Sequence, residues 1–166
     1  MGMYPGGNII RVTPTLSTDA YAAGDVLFTA TEIPNAVSSR GGVSKLTAMF
    51  ILSQDTEDMD TNFIFSEGNT ALGTINETAD IDDSDIEALN IIGFLDLDAS
   101  EAAVTHLDKS DIMQVTASEA GESRPFLLKA AEGSTSVYVQ AIYRGGGTPS
   151  VAADDLDLIF HIEYLG

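Results

Sequence analysis

The sequence predicts an all-β protein: an antiparallel β-sandwich of jelly-roll type, with eight or nine strands and one short helix. Apolar and polar side chains alternate in several short segments, which is the pattern of strands with one buried face. Clusters of Gly, Pro, Asn, Asp and Ser separate these segments at intervals of roughly 8–12 residues, with a few longer loops. Together the two observations favour a sandwich.

The apolar stretch at residues 42–66 forms the centre of the predicted sheet. Its first run places four apolar residues two positions apart, on one expected face: Leu46, Ala48, Phe50 and Leu52. Phe63 and Phe65 supply a second such face. The residues between the runs include four acids that favour water: Asp55, Glu57, Asp58 and Asp60. The stretch therefore predicts a β-hairpin with an acidic tip.

Seven further strands complete the predicted sandwich. They lie at residues 8–13, 25–33, 90–97, 111–118, 126–131, 135–144 and 156–164. The last has the clearest alternation, with an apolar face made of Leu156, Leu158, Phe160, Ile162 and Tyr164.

One short helix is predicted near residues 84–90. Ser84 and Glu87 have the spacing of a capping box, in which each side chain satisfies a free backbone donor at the helix start. Ile86 and Leu89 follow on one helix face. No comparable helix start is found elsewhere in the sequence.

Length and composition predict a single domain. The 166 residues and 44% hydrophobic content suffice for one core, which we place at residues 9–166 behind a glycine-rich, flexible arm at residues 1–8. The 26 acidic against 7 basic residues give a net charge of −19, which argues against nucleic acid and membranes as partners. The first residues lack a signal-peptide pattern, which predicts synthesis in the cytoplasm.

The acidic clusters were considered as metal sites, because Ca²⁺ is bound by several oxygens at once. One cluster is Asp80, Asp82, Asp83, Asp85 and Glu87, and another is Asp55, Asp58 and Asp60. The first lacks the glycine of a helix-loop-helix calcium loop, and proximity to a helix start accounts for it without an ion. The second is accounted for by a solvated hairpin tip. We predict no metal and no other cofactor.

The sequence also predicts no catalytic site. His106 and His161 are its only histidines, and no Gly-x-Ser-x-Gly motif places a nucleophile beside either. Tyr138, Tyr143 and Tyr164 could stack on a sugar, but aromatic residues that alternate in strands are more often core or edge cover. The chain is therefore predicted not to be an enzyme.

Four segments resemble small virion accessory proteins of tailed bacteriophages, particularly those of aquatic hosts. They are residues 23–28 (AGDVLF), 32–37 (EIPNAV), 61–65 (TNFIF) and the ending from 136–139 (SVYV) through 147–149 (GTP) to 156–158 (LDL). The resemblance implies a β-sandwich on the capsid surface: a decoration or cement protein that binds the major capsid protein and stabilises the shell. It further implies a virion location and a homo-trimer on local three-fold axes.

The arm supplies the candidate docking residues. Met3 and Tyr4 would anchor it on the capsid, although an ordinary frayed terminus is an equal alternative. A second functional hypothesis is a receptor- or carbohydrate-binding module of a head or tail fibre, with or without calcium at the acidic loops. A third is a hydrolase, which would need His106 or His161 beside a carboxylate.

Overall fold

The computed structural model describes residues 6–54, 59–98, 103–115, 126–146 and 155–166. Within these ranges it has ten β-strands and one α-helix. The first half of the chain contains β1 (Gly7–Val12), β2 (Val26–Ile33), β3 (Val43–Ser53), β4 (Asp60–Ser66) and α1 (Asp83–Leu89). The second half contains β5 (Ile91–Leu97), β6 (Ala103–His106), β7 (Asp111–Gln114), β8 (Phe126–Lys129), β9 (Val137–Gly145) and β10 (Leu156–Leu165).

The strands form two antiparallel sheets. The six-stranded sheet has the order β1-β10-β3-β7-β6, and β8 pairs with the first half of β3 beside β7. The four-stranded sheet has the order β2-β9-β4-β5. If the β6–β7 hairpin is set aside, the first strand pairs with the last, the second with the next to last, and so on inward. This nested pairing is the wrapped long hairpin of a jelly roll, which confirms the predicted fold class.

The core lies between the two sheets. Alternate residues of β10 point into it, and Leu156, Leu158, Phe160 and Ile162 are buried as the alternation predicts. Across the interface Phe65 meets Phe160 edge to face, with ring centroids 6.0 Å apart. Such pairs add specific geometry to the burial that stabilises the sandwich.

The predicted hairpin at residues 42–66 is wrong. β3 belongs to the six-stranded sheet and β4 to the four-stranded sheet, so the two strands pair with other partners. Both apolar runs do face the core, but from opposite sides of it. The reason is the jelly-roll topology, in which successive strands alternate between sheets and the partners are distant in sequence. Residues 55–58, with most of the predicted acidic tip, lie outside the described ranges.

The predicted face of β3 is also wrong beyond Leu46. A β-bulge lies at Thr47: His161 pairs with Ala48, while the next residue of β10, Ile162, pairs with Leu46. Leu46, Met49 and Ile51 therefore point inward, and Phe50 points outward. A bulge inserts one residue into one strand and so reverses the face of every residue after it.

The helix is confirmed, but its predicted cap is not. α1 begins at Asp83 after an N-cap at Asp82, and that cap makes no side-chain hydrogen bond. Ser84 lies inside the helix, so its spacing to Glu87 does not form a capping box. Asn90 ends the helix in the left-handed conformation, with φ of 49°, which asparagine tolerates better than most residues.

The predicted strands match described strands at all seven of the separate positions, and one further strand was not predicted. β6 is four residues long and pairs with β7 as a hairpin, adding a strand at the rim of the six-stranded sheet. A segment this short carries too little alternation to be recognised.

The segment at residues 67–90, which includes α1, covers part of the outer face of the four-stranded sheet, and Phe94 on the edge strand β5 stays exposed. Leu72 and Leu89 are buried there against Val26, with Ile64 and Ile142 beside them. The side chain of Gln140 on β9 is fully buried beneath the segment. It accepts a hydrogen bond from the Leu72 amide (3.0 Å) and donates one to the Thr70 carbonyl (2.7 Å).

At the N-terminus β1 starts at Gly7, which pairs with Glu163 of β10. Residues 1–5 lie outside the described ranges, and the division into an arm and a domain stays a prediction. Among the helices in the described part of the chain, none has the length and apolar character needed to cross a bilayer.

Candidate docking surface

The outer face of the six-stranded sheet carries an apolar band. Register places Ile9 of β1, His161 of β10 and Ala48 of β3 in one row, and Ile159 beside Phe50 in the next. We define the apolar band as the outward apolar residues of these neighbouring strands: Ile9, Ala48, Phe50, Leu52, Ile112 and Ile159. All six keep exposed surface, and none belongs to either hydrophobic cluster of the described residues.

An open depression of about 560 Å³ adjoins the band. It is lined by Gly7, Asn8, Ile9, Thr47, His161 and Ile162. The β-bulge creates it: Thr47 is left outside the ladder and its hydroxyl donates to the His161 carbonyl (3.0 Å). Gly7 has no side chain, which leaves this space open. A Cβ at that position would lie 3.1 Å from the Ile162 carbonyl oxygen.

Two side chains form the walls of this depression. Ile9 is 64% exposed, the highest value among the large apolar residues of the described chain. The His161 ring packs on Phe50, with centroids 5.1 Å apart, and so links the depression to the band. The site is thus an apolar surface that adjoins an open depression.

The basic groups of this sheet face are in ion pairs, two of them within the face and the third, Lys129, with Glu67 of the segment at residues 67–90 (2.6 Å). The Arg11 guanidinium and the Thr13 hydroxyl both donate to the buried carboxylate of Asp157. The hydrogen bond from Arg11 is the main cause that lowers the pKa of Asp157, and burial opposes it. Lys45 forms an ion pair with Glu163 (3.1 Å), its register partner on β10. These pairs neutralise the surroundings of the band.

Charge differs strongly between the two outer sides of the sandwich. The outward positions of the six-stranded sheet hold three basic residues and two acidic ones, a formal +1 by subtraction: Arg11, Lys45, Lys129, Asp157 and Glu163. Residues 67–90, over the other sheet, contain seven acidic residues and no basic one. The face with the apolar band is therefore much less acidic than residues 67–90, in a chain with net charge −19.

The predicted docking residues, Met3 and Tyr4, lie outside the described ranges, so their role stays a prediction. Asp60 begins β4, with Gly146 close to its carboxylate. Within the described ranges no group of three or more His, Asp or Glu side chains is arranged to hold a metal ion. The acids at residues 80–87 are all exposed around the start of α1.

The two histidines are far apart in the fold and differ in surroundings. His106 on β6 lies 2.8 Å from the buried carboxylate of Asp111, its partner in the hairpin register, and is itself 71% exposed. His161 lies in the depression described above. His106 therefore lies beside a carboxylate, as the hydrolase hypothesis requires, whereas the described residues that line the depression at His161 include no carboxylate.

The three tyrosines considered for sugar stacking occupy different environments. Tyr143 is buried in the core, 6.4 Å from the Tyr21 ring. Tyr164 is half-buried, and its hydroxyl donates to the Asn35 carbonyl (2.8 Å) and accepts from Asn8 (3.2 Å). Tyr138 is half-buried on β9. They do not form one aromatic platform, because Tyr143 faces inward and Tyr138 and Tyr164 belong to different sheets.

Sequence reasoning missed the apolar band. The sequence did contain one indication of the band: residues 48–52 are all apolar, whereas a strand with one solvated face is expected to alternate apolar and polar residues. We assigned part of that run to the core, and the bulge turns it outward. Ile9 and Ile159 are single apolar residues at positions where alternation predicts polar ones, and only the register reveals that they are neighbours.

No protein-family model matches the chain, and a search of curated proteins finds no match.

Proposed function

We propose that this chain is a non-enzymatic structural protein of a tailed-phage particle. It binds the outer surface of the capsid shell, through the major capsid protein, and stabilises the shell as a decoration or cement subunit. The single observation that carries the proposal is the uncovered apolar band on an otherwise acidic molecule. Monomeric soluble proteins rarely expose contiguous apolar surface without a partner for it.

The dimensions of the sheet support a protein partner. β10 has ten residues, and at about 3.3 Å per residue and about 4.8 Å between strands, a face four strands wide measures about 33 by 19 Å. The projected area of about 600 Å² approaches the roughly 800 Å² per partner of a standard stable interface. A flat surface of this size suits a neighbouring protein better than a small molecule, which prefers an enclosed pocket.

The stabilising action follows from linkage. A subunit that binds the assembled shell, and not its dissociated parts, lowers the free energy of the assembled state by mass action. Such a protein needs a rigid fold and a docking face but no reactive group. The jelly roll, a fold common among viral shell and lectin domains, agrees with this proposal at the level of analogy.

The proposed assembly is a homo-trimer on the particle surface, after synthesis in the host cytoplasm. A three-fold arrangement would place three apolar bands on the shell at once. The resulting avidity would multiply the affinity of each band without new contacts.

Copy number in the particle tests this proposal. Quantitative mass spectrometry of particles purified from the source should give a ratio to the major capsid protein near one to one, or a simple fraction of it. A few dozen copies or fewer would instead indicate a fibre or tail module. Absence from the particle would refute a virion role.

The thermal stability of the shells provides a second test of the proposal. Purified chain added to shells that lack it should raise their melting temperature. The variant Phe50→Asp, on the apolar band, should lose this effect. The matched variant Ile86→Asp should retain it, since Ile86 is exposed on α1 at the opposite side of the sandwich. Equal stabilisation by both variants would remove the band from the proposal.

A further inference from the structure

We propose that the depression beside the apolar band is the anchor point of docking, and that it receives a protruding apolar segment from a near-neutral surface of the shell protein. This inference rests on the proposed function and adds where contact is concentrated and what chemistry the partner presents. Interfaces commonly derive most of their affinity from a few side chains seated in central pockets.

The shape of the depression supports an anchor. It is an open depression on this face, with a volume of about 560 Å³. Its floor is formed by small groups, Gly7 and Thr47, and one wall is the exposed side chain of Ile9. An apolar side chain seated here would bury Ile9 and contact the His161 ring.

The charges support a near-neutral partner. Arg11 and Lys45 are bound to carboxylates of the same face, Asp157 and Glu163. Recruiting either cation to an anionic partner would first break an existing pair, so little electrostatic affinity is gained. A strongly basic partner would find its complement on the acidic segment at residues 67–90 instead. The face that bears the depression thus suits a partner that contributes apolar area and little charge.

A second copy of the chain is the competing occupant. The proposed function assigns this face to the shell, and self-association through it becomes an outcome of the test.

The experiment measures binding of the full-length chain to purified shells that lack it. The test variant is Thr47→Trp, which fills the depression from a position with an exposed side chain. The control is Leu127→Trp, which adds the same ring at a residue of the same sheet face that is 54% exposed and does not line the depression. Thermal unfolding of both variants checks the fold. Should Thr47→Trp fail to fold, Ile9→Asp replaces it.

We expect Thr47→Trp to weaken binding at least about tenfold, as for loss of one central contact, and Leu127→Trp to weaken it less than about threefold. Raising NaCl from about 50 to about 500 mM should leave the affinity nearly unchanged, because a near-neutral partner carries little charge for salt to screen.

Four results would overturn the inference, and they are distinguishable. If the unmodified chain binds no shells, the proposed function itself fails. If it binds and Thr47→Trp binds equally well, only the anchor fails. An affinity that falls with salt would replace the near-neutral partner with an ionic one. Sedimentation of the unmodified chain as a dimer that Thr47→Trp dissociates would make the occupant a second copy.

Discussion

The two sheets of this sandwich have outer faces that differ in how their apolar residues are covered. On the four-stranded sheet, Ile64 and Ile142 lie beneath residues 67–90, where Leu72 and Leu89 are buried. On the six-stranded sheet, Phe50 and its neighbours keep exposed surface and belong to neither cluster of the described chain. Both faces are apolar, but residues 67–90 cover only the part of the four-stranded sheet around Ile64 and Ile142, while Phe94 on the edge strand β5 stays 62% exposed.

On the covered face, hydrogen bonds link the sheet to residues 67–90, which lie over it. Gln140 donates to the Thr70 carbonyl and accepts from the Leu72 amide, so backbone groups that the cover buries are satisfied. Around the apolar band, by contrast, hydrogen bonds and ion pairs join residues of the same face, such as Arg11 and Asp157. The band therefore remains exposed, and the difference between the two faces can be tested by substitution.

The largest effect on stability is expected from Leu89→Ala on the covered face. Leu89 is fully buried at the end of α1, and its truncation leaves a cavity between the helix and the sheet. We expect the free energy of unfolding, measured with urea, to fall by about 2–4 kcal/mol. The control Ile86→Ala lies on the exposed side of the same helix and should change it by no more than about 0.5 kcal/mol.

Similar small effects for Leu89→Ala and Ile86→Ala would mean that residues 67–90 do not cover the sheet in solution. Hydrogen exchange at the Leu72 amide provides an independent check. Its bond to Gln140 should protect it in the unmodified chain, and Leu89→Ala should reduce that protection by loosening the cover.

A smaller effect, dependent on pH, is expected at the rim of the apolar band. Hydrogen bonding from Arg11 lowers the pKa of Asp157 in the folded chain below its ordinary value. The ionised carboxylate therefore contributes stability that is complete above the unfolded pKa of about 3.9 and is lost as the pH falls through the lower folded pKa. Asp157→Asn should accordingly reduce stability at pH 6, and the difference should shrink below about pH 4.

Urea unfolding of both chains from neutral to acid pH measures this difference. Glu163→Gln is the matched control, because its carboxylate is 37% exposed while that of Asp157 is 6% exposed, and an exposed pair contributes little. A difference between Asp157→Asn and the unmodified chain that stays constant down to the lowest pH would contradict the assigned ionisation.

Much of the fold could be predicted because it depends on local periodicity. The alternation in β10 gave its buried face correctly, and the turn residues separated most strands where the structure has breaks. Topology depends on distant pairing, such as Ile9 with His161, and no local pattern carries it. The predicted hairpin at residues 42–66 failed for this reason: apolar strands adjacent in sequence can face the same core from opposite sheets.

A single residue, Thr47, prevented the proposed docking surface from being predicted. Thr47 interrupts the alternation of β3, and a threonine in a strand gives no sequence signal of a bulge. Once the face reverses, apolar residues assigned to the core become the middle of the apolar band. The depression needs this bulge and the pairing of β1 with β10 together, so it could not be inferred from the sequence.

The smallest effect on stability is expected at the centre of the apolar band, and it tests the difference between the two outer faces most directly. Phe50 points outward and Met49, its neighbour, points inward with no exposed surface. Phe50→Ala should lower the free energy of unfolding by no more than about 1 kcal/mol, the order of its contact with His161. Met49→Ala should cost about 2–4 kcal/mol through a core cavity. Urea unfolding of the two variants measures both, and the reverse order would place the bulge elsewhere than at Thr47.

With the expected order, the largest side chain of the band contributes little to the fold, so selection for stability alone would not require an aromatic residue there. A requirement for Phe50 in shell binding would then explain its presence.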